Sequence, residues 1–193
     1  MSEPFAPEAY GEMFDDVSQI LFTAAQIQAR VWEIGQQISQ DYAGQNPLLV
    51  GVLKGVVPFM ADLLRAITIP VEVDFMAITS YSASSRHEGM VRLEKDLEVP
   101  VNGRSLLFVE DIIDTGLTLN YLLKTLRARS PASLDVCTMF NKEKLRLIDI
   151  PLRYKGFDLP DKFVVGYGLD YREKYRNLPW VGLLKPHVFQ PKS

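Results

Sequence analysis

The stretch "SLLFVEDIIDTGLTLNYLLKTLRARS", residues 105–130, decides how the chain is read. Its apolar run Leu106-Leu107-Phe108-Val109 has the form of a strand buried on both faces. Two acids, Glu110 and Asp111, end that run, and Asp114, Thr115 and Gly116 follow two isoleucines. Leu119, Leu122, Leu123 and Leu126 then recur at helical spacing. Lys124, Arg127 and Arg129 gather where the helix dipole favours cations, and Pro131 comes next. A strand, a tight turn and a helix N-terminus together make an anion site, because free backbone N–H groups and the positive end of the dipole converge there. Gly116 allows close backbone approach, and the Thr115 and Thr118 hydroxyls add donors. A phosphate alone does not call for three carboxylates. A sugar phosphate does: Glu110 and Asp111 can accept from vicinal hydroxyls, while Asp114 faces the reacting centre. The competing reading makes Asp114 a helix N-cap and leaves the other two acids solvated, but capping needs one acid.

Strand and helix signals alternate outward from this junction. Residues 1–20 read as an arm. Thr23 and Gln26 have capping-box spacing ahead of an apolar stripe, Ile27, Val31, Ile34 and Ile38, and Gly44 ends that helix. "PLLVGVLKG" (47–55) is a second buried strand. Pro58 suits the first turn of a helix whose inner face would be Met60, Leu63, Leu64 and Ile67. "VEVDFMAITSY" (71–81) is rich in β-formers, and the polar residues 82–98 form a long loop or ragged hairpin, a length usually functional or mobile. "LDVCTMF", "KFVVGYG" and "WVGLLK" are further short strands. The alternation predicts a single α/β domain with a mainly parallel sheet flanked by helices. Ligands bind at the carboxyl ends of such strands, where Glu110–Thr118 and Leu53-Lys54-Gly55 both fall.

With 193 residues the chain can bury a sizeable core, and 47% hydrophobic with 23% charged residues is ordinary globular composition. A net charge of −3 argues against a general nucleic-acid binder, though not against a local basic pocket. The acidic N-terminus lacks the features of a signal peptide, and no apolar run approaches a membrane span. The one cysteine, Cys137, lies in an apolar strand and fits a reducing compartment, so a cytoplasmic protein is expected. No His/Cys cluster suits zinc, and no GxxxxGK[ST] supports a P-loop hydrolase.

"VEDIIDTGLTL" resembles the phosphoribosyl-diphosphate signature of the type I phosphoribosyltransferases. "NPLLVGVLKGVVPFMADLLRAI", "VDFMAITSY", "PDKFVVGYGLDYREKYRNLPWVGLLKP" and the first helix extend the resemblance from about Leu21 to Pro186, towards the bacterial enzymes for 6-oxopurines such as hypoxanthine. The resemblance implies the type I phosphoribosyltransferase fold, with a small hood from the N- and C-terminal segments. It implies transfer of phosphoribose from phosphoribosyl diphosphate to hypoxanthine, and also guanine, in purine salvage. Asp114 would be the general base at purine N7. Thr115, Gly116, Leu117 and Thr118 would join it in holding the 5′-phosphate, with Glu110 and Asp111 on the ribose hydroxyls. Leu117 stands where some relatives carry a lysine or arginine. Lys54, Gly55 and Arg176 would contact the pyrophosphate, with a cis peptide at Leu53–Lys54. On the base side, Lys142 would bind near the base, Lys162 would donate to the 6-oxo group, Phe163 would stack on the ring, and Val164 would offer backbone groups. Magnesium would rest on Asp170, Glu110 and Asp111, Asp170 binding through water. Ser80-Tyr81 and the segment through residue 98 would form a lid that keeps water from a sugar cation. Glu173 and Lys174 read as solvated charges, as does His87 within the lid.

Close alternatives are an enzyme preferring xanthine or another base, and a phosphoribosyl-binding regulator that does not catalyse. The acidic balance disfavours an RNA-acting regulator, and Asp114, Lys162 and Phe163 together favour catalysis. Relatives of this kind form dimers or tetramers, so a homo-oligomer is expected.

Overall fold

The computed structural model describes residues 6–80 and 91–190. A 3-10 turn at Pro7–Tyr10 and a short helix α1 (Glu12–Asp15) lead into strand β1 (Val17–Phe22). The segment read as an arm therefore carries a strand. Its irregular "VSQILF" pattern hides it, and its register is interrupted twice. Helix α2 (Ala24–Asp41) starts at the expected box: the Thr23 hydroxyl accepts from the Gln26 N–H at 3.3 Å, and the Thr23 N–H donates to the Gln26 side chain at 2.9 Å. Ile27, Val31, Ile34 and Ile38 are buried along one face, and Gly44, at φ 75°, turns the chain into β2 (Leu48–Leu53).

Pro58 sits in the first turn of α3 (Val57–Ala66), where its missing N–H costs no helical bond. Phe59, Met60, Leu63 and Ala66 form its buried face. Leu64 is only partly covered, and Ile67 is the buried C-cap residue rather than part of the helix. Next come β3 (Glu72–Ser80) and β4 (Val91–Lys95), an antiparallel pair. The hairpin reading of the polar segment thus holds over residues 91–95, which are strand rather than lid loop. Residues 81–90, Tyr81 among them, lie outside the described residues.

The opening stretch folds into β5 (Ser105–Ile113) and α4 (Leu117–Arg127), followed by β6 (Ser133–Asn141) and β7 (Tyr154–Asp158). The sheet order is β4-β3-β2-β5-β6-β7, parallel except for the β3–β4 edge. Alternation divides its faces: Leu49, Leu107, Val109, Cys137 and Met139 pack with α2 and α3, whereas Leu48, Val50, Leu106, Phe108 and Val136 pack with the α4 leucines. Strand β7 escapes sequence patterning because Gly156 interrupts it. A Cβ there would come 2.3 Å from the Met139 carbonyl oxygen, so glycine lets the edge strand approach β6.

"KFVVGYG" and "WVGLLK" do not enter this sheet. They supply β8 (Val164–Val165) and β9 (Val181–Leu184), which with β1 make a three-stranded antiparallel sheet in the order β1-β9-β8. This is the expected hood. It has its own core around Trp180, which Tyr10 and Phe14 meet edge-on at 6.2 and 6.1 Å, and it ends in a short helix α5 (Pro186–Phe189).

Candidate active site

Strand β5 runs four residues past its apolar run, pairing with β6 as far as Ile113↔Asn141. Glu110 and Asp111 therefore project from a strand whose ladder holds them, rather than from a loop. Helix α4 starts at Gly116, its N-cap, in the left-handed region at φ 79° with no side-chain cap. Asp114 is not the cap. A cavity of about 290 Å³ opens here, and Glu110, Asp111, Asp114, Thr115, Gly116 and Thr118 line it along with Gly55 from the turn after β2. Leu117 is half exposed at the start of α4.

The turn after β2 contains a cis peptide at Leu53–Lys54. A Cβ on Gly55 would lie 1.8 Å from Asp111 Oδ2, and one on Gly168 would lie 2.0 Å from the Gly55 carbonyl oxygen. Two glycines thus let three segments converge: the β2 turn, the end of β5, and the hood loop 166–176. That loop is tightly coiled, with Tyr167, Arg172, Glu173 and Tyr175 all at positive φ. Arg176 ties it together, donating to the Gly168 carbonyl at 2.8 Å and pairing with Asp170 at 2.8 Å. Lys54 reaches the same loop through Glu173 at 3.1 Å, and Arg176 lies 3.4 Å from that carboxylate. Glu173, read from sequence as a solvated charge, instead bridges the two cations expected to meet a pyrophosphate.

A second cavity of about 200 Å³ lies between β5 and the hood. Asp111, Asp114 and Asp170 line it with Lys142 and Arg176, and its apolar walls are Phe163, Val164 and Leu169. The Lys142 N–H donates to the Ile113 carbonyl at 2.9 Å, and its Nζ lies 3.5 Å from Asp114 Oδ1. The Lys142 side chain is only 12% exposed, too enclosed for a solvated charge. Lys162 is exposed and absent from this lining. It borders a wider cavity of about 590 Å³ across Phe163, which Lys142 also touches. The structure therefore brings Lys142, not Lys162, to Asp114.

Burial pushes the Asp111 carboxyl up to about 6, with nearby Asp170 adding repulsion, while backbone donors and Arg176 pull it back. Glu110 is raised well above the usual carboxylate range, first by burial and then by the Asp111 charge. Among the described residues no group of three or more His, Cys, Asp or Glu side chains could hold a metal alone. Asp111 and Asp170 share the second cavity, whereas Glu110 lines only the first. A cation on that pair would draw its other ligands from substrate and water oxygens, as magnesium does with diphosphates. Ser80 ends β3. Sequence reasoning missed Gly168, Leu169 and Glu173, and only the paired glycines of "GYGLD", Gly166 and Gly168, offered a signal.

Amides at the α4 N-terminus, the first of which (Leu117) donates only to the Thr115 hydroxyl at 3.4 Å, stand beside three carboxylates at the carboxyl edge of a mainly parallel sheet. This is the arrangement of an α/β protein suited to a phosphorylated sugar. The chain belongs to the phosphoribosyl transferase domain family, whose model matches residues 18–172. It is 46% identical over 196 residues to the hypoxanthine-guanine phosphoribosyltransferase of Mycobacterium tuberculosis (strain ATCC 25618 / H37Rv), covering 98% of this chain and 97% of the relative. To that of Streptococcus thermophilus (strain CNRZ 1066) it is 47% identical over 174 residues, covering 90% and 97%. The crystal structure of a hypoxanthine phosphoribosyltransferase from Staphylococcus aureus (tetragonal form) superposes with a TM-score of 0.88 at 41% identity, covering 93% of this chain and 97% of that one. The fold is that of the type I phosphoribosyltransferases, and the chain is a transferase.

Proposed function

We propose that the chain joins hypoxanthine, and also guanine, to phosphoribosyl diphosphate, giving the nucleoside monophosphate and pyrophosphate. The names of its relatives support this reading. The observation that carries it is the Asp114–Lys142 pair, 3.5 Å apart beside a cavity walled by Phe163 and Leu169. Purine N7 and the 6-oxo oxygen are neighbours on one edge of the ring. A carboxylate that takes the N7 proton should therefore have a donor to O6 next to it, and Lys142 is that donor. Lys162 is left to the outer rim of the base site.

In this reading the amides after Gly116 and the hydroxyls of Thr115 and Thr118 hold the 5′-phosphate, and Leu117 contributes only its backbone. Glu110 and Asp111 accept from the ribose hydroxyls. Lys54, the Gly55 backbone and Arg176 receive the diphosphate, displacing Glu173 from the two cations. Phe163 and Leu169 clamp the base, and Val164 presents backbone groups to its edge. As N9 bonds to the sugar carbon the ring gains positive charge, N7–H becomes acidic, and Asp114 takes that proton. Asp111 and Asp170 would hold magnesium, which would supply charge neutralisation for the leaving diphosphate. Ser80-Tyr81 and the residues that follow act as the lid excluding water. The protein works in the cytoplasm as a homo-oligomer.

The test is a product assay with phosphoribosyl diphosphate, magnesium and four bases: hypoxanthine, guanine, xanthine and adenine. Hypoxanthine and guanine should turn over. Adenine, which sets an amino group against the donor-only Lys142, should be poorer by on the order of 10⁴-fold. Adenine turnover equal to hypoxanthine would defeat the reading.

A further inference from the structure

Phe163 is 39% exposed, the ring proposed to stack on the base. Phe189 of α5 stacks on it with centroids 5.1 Å apart and planes 19° from parallel. Tyr171, next to Asp170, meets the same ring edge-on at 5.5 Å. Phe163 lines both the 200 Å³ cavity that holds Asp114 and the wider one across it, but Phe189 lines only the wider one. Phe189 therefore lies behind Phe163 as seen from Asp114, not in the place of the base.

The backbone fixes this arrangement. The Leu184 N–H donates to the Phe163 carbonyl at 3.1 Å, joining the end of β9 to the residue before β8. The Lys185 N–H then donates to the Asp16 carbonyl at 2.9 Å, and the Lys185 ammonium to the Asp15 carbonyl. One turn of helix brings Phe189 back over Phe163. A partly exposed ring just before a two-residue strand has little regular structure of its own to hold its plane. The second aromatic layer supplies that support.

We propose that Phe189 is a positioning residue for the purine subsite: it holds the plane of Phe163 so that the base is bound between that ring and Leu169. The inference rests on the proposed function. A merely structural role would lower stability without favouring one substrate. A positioning role acts on the base and spares the donor.

Steady-state kinetics on the full chain separate the two. In F189A the KM for hypoxanthine should rise about 3- to 10-fold, the range an aromatic pair contributes. The KM for phosphoribosyl diphosphate and kcat should stay within about two-fold. F189Y, which keeps the ring, should restore the wild-type value, and F189L, which keeps apolar volume without a ring, should not. F189L and F189Y also decide the matter if F189A fails to fold. Equal rises in both KM values, no rise at all, or full rescue by F189L would overturn the role of Phe189. A wild type inactive on every 6-oxopurine would instead count against the proposed function.

Discussion

Asp114 is half exposed beside the Lys142 ammonium, two residues before the glycine that caps α4. Because the N-cap is Gly116, Asp114 does not start the helix, and replacing it should scarcely change folding. In the proposed reaction it accepts the N7 proton of a base made acidic by the forming bond to sugar. Asp114→Asn keeps the shape and one acceptor oxygen but removes basicity. We predict that kcat falls by roughly 10²–10⁴-fold, the usual worth of general base catalysis. Affinity for phosphoribosyl diphosphate should change little, since amides and threonine hydroxyls hold the phosphate. Turnover and donor affinity measured on this variant decide the role; an unchanged kcat would remove it. The sequence made Asp114 legible because three acids at one junction exceed what a helix start needs. The family resemblance put Lys162 on the 6-oxo group, whereas Lys142 is the lysine that meets Asp114, because that meeting depends on the close of β6 against β5.

The β3–β4 hairpin, the arm on either side of residues 81–90, is anchored at its foot by Asp74. The carboxylate accepts from the Glu98 N–H at 2.6 Å, the Phe75 N–H at 2.7 Å, the Val99 N–H at 3.3 Å and the Lys95 ammonium at 3.2 Å. Burial pushes its pKa up, but these donors outweigh burial and hold it below the ordinary value of 3.8. A depressed carboxylate stabilises the fold above its unfolded pKa, and that contribution is lost as pH falls through the folded pKa. Asp74→Asn should therefore cost about 1–3 kcal/mol at pH 7, where a charged acceptor of several bonds is lost. The gap should narrow well below the ordinary value, where Asp74 itself is protonated. Urea melts of both proteins at neutral and strongly acid pH test this, and a gap that does not change with pH would show that charge plays no part.

On the scale of the whole molecule, the 200 Å³ cavity lies where the sheet's carboxyl edge meets the hood, with the 290 Å³ cavity beside it on the sheet side. Gly55 against Gly168 is one point where sheet and hood touch. A donor bound there contacts both, so it should stabilise the native state by mass action. At a hundred times its Kd, phosphoribosyl diphosphate with magnesium should add about 2.7 kcal/mol. Most of that gain should vanish in excess chelator, because the diphosphate then faces Asp111 and Asp170 without the divalent ion, and Lys54 and Arg176 alone neutralise too little of its charge. Equal stabilisation with and without chelator, read from thermal melts, would remove the role given to magnesium.

The sequence by itself determined the α/β class, the buried strands, the helices α2 and α4 and the glycine-bearing turn between β5 and α4. These depend on local periodicity and on chemistry within a few residues, which a linear reading captures. The family resemblance implied a hood. The tertiary structure alone decided which strands build it, β1 beside "WVGLLK" and "KFVVGYG", and that Gly156 admits an edge strand to the main sheet. It also decided that Glu173 bridges Lys54 and Arg176, and that Phe189 backs Phe163. Each of these is a contact between segments far apart in the chain. Whether a glycine must be small, or a charge solvated or paired, depends on what the fold brings against it, and that partner is not written in the neighbouring residues.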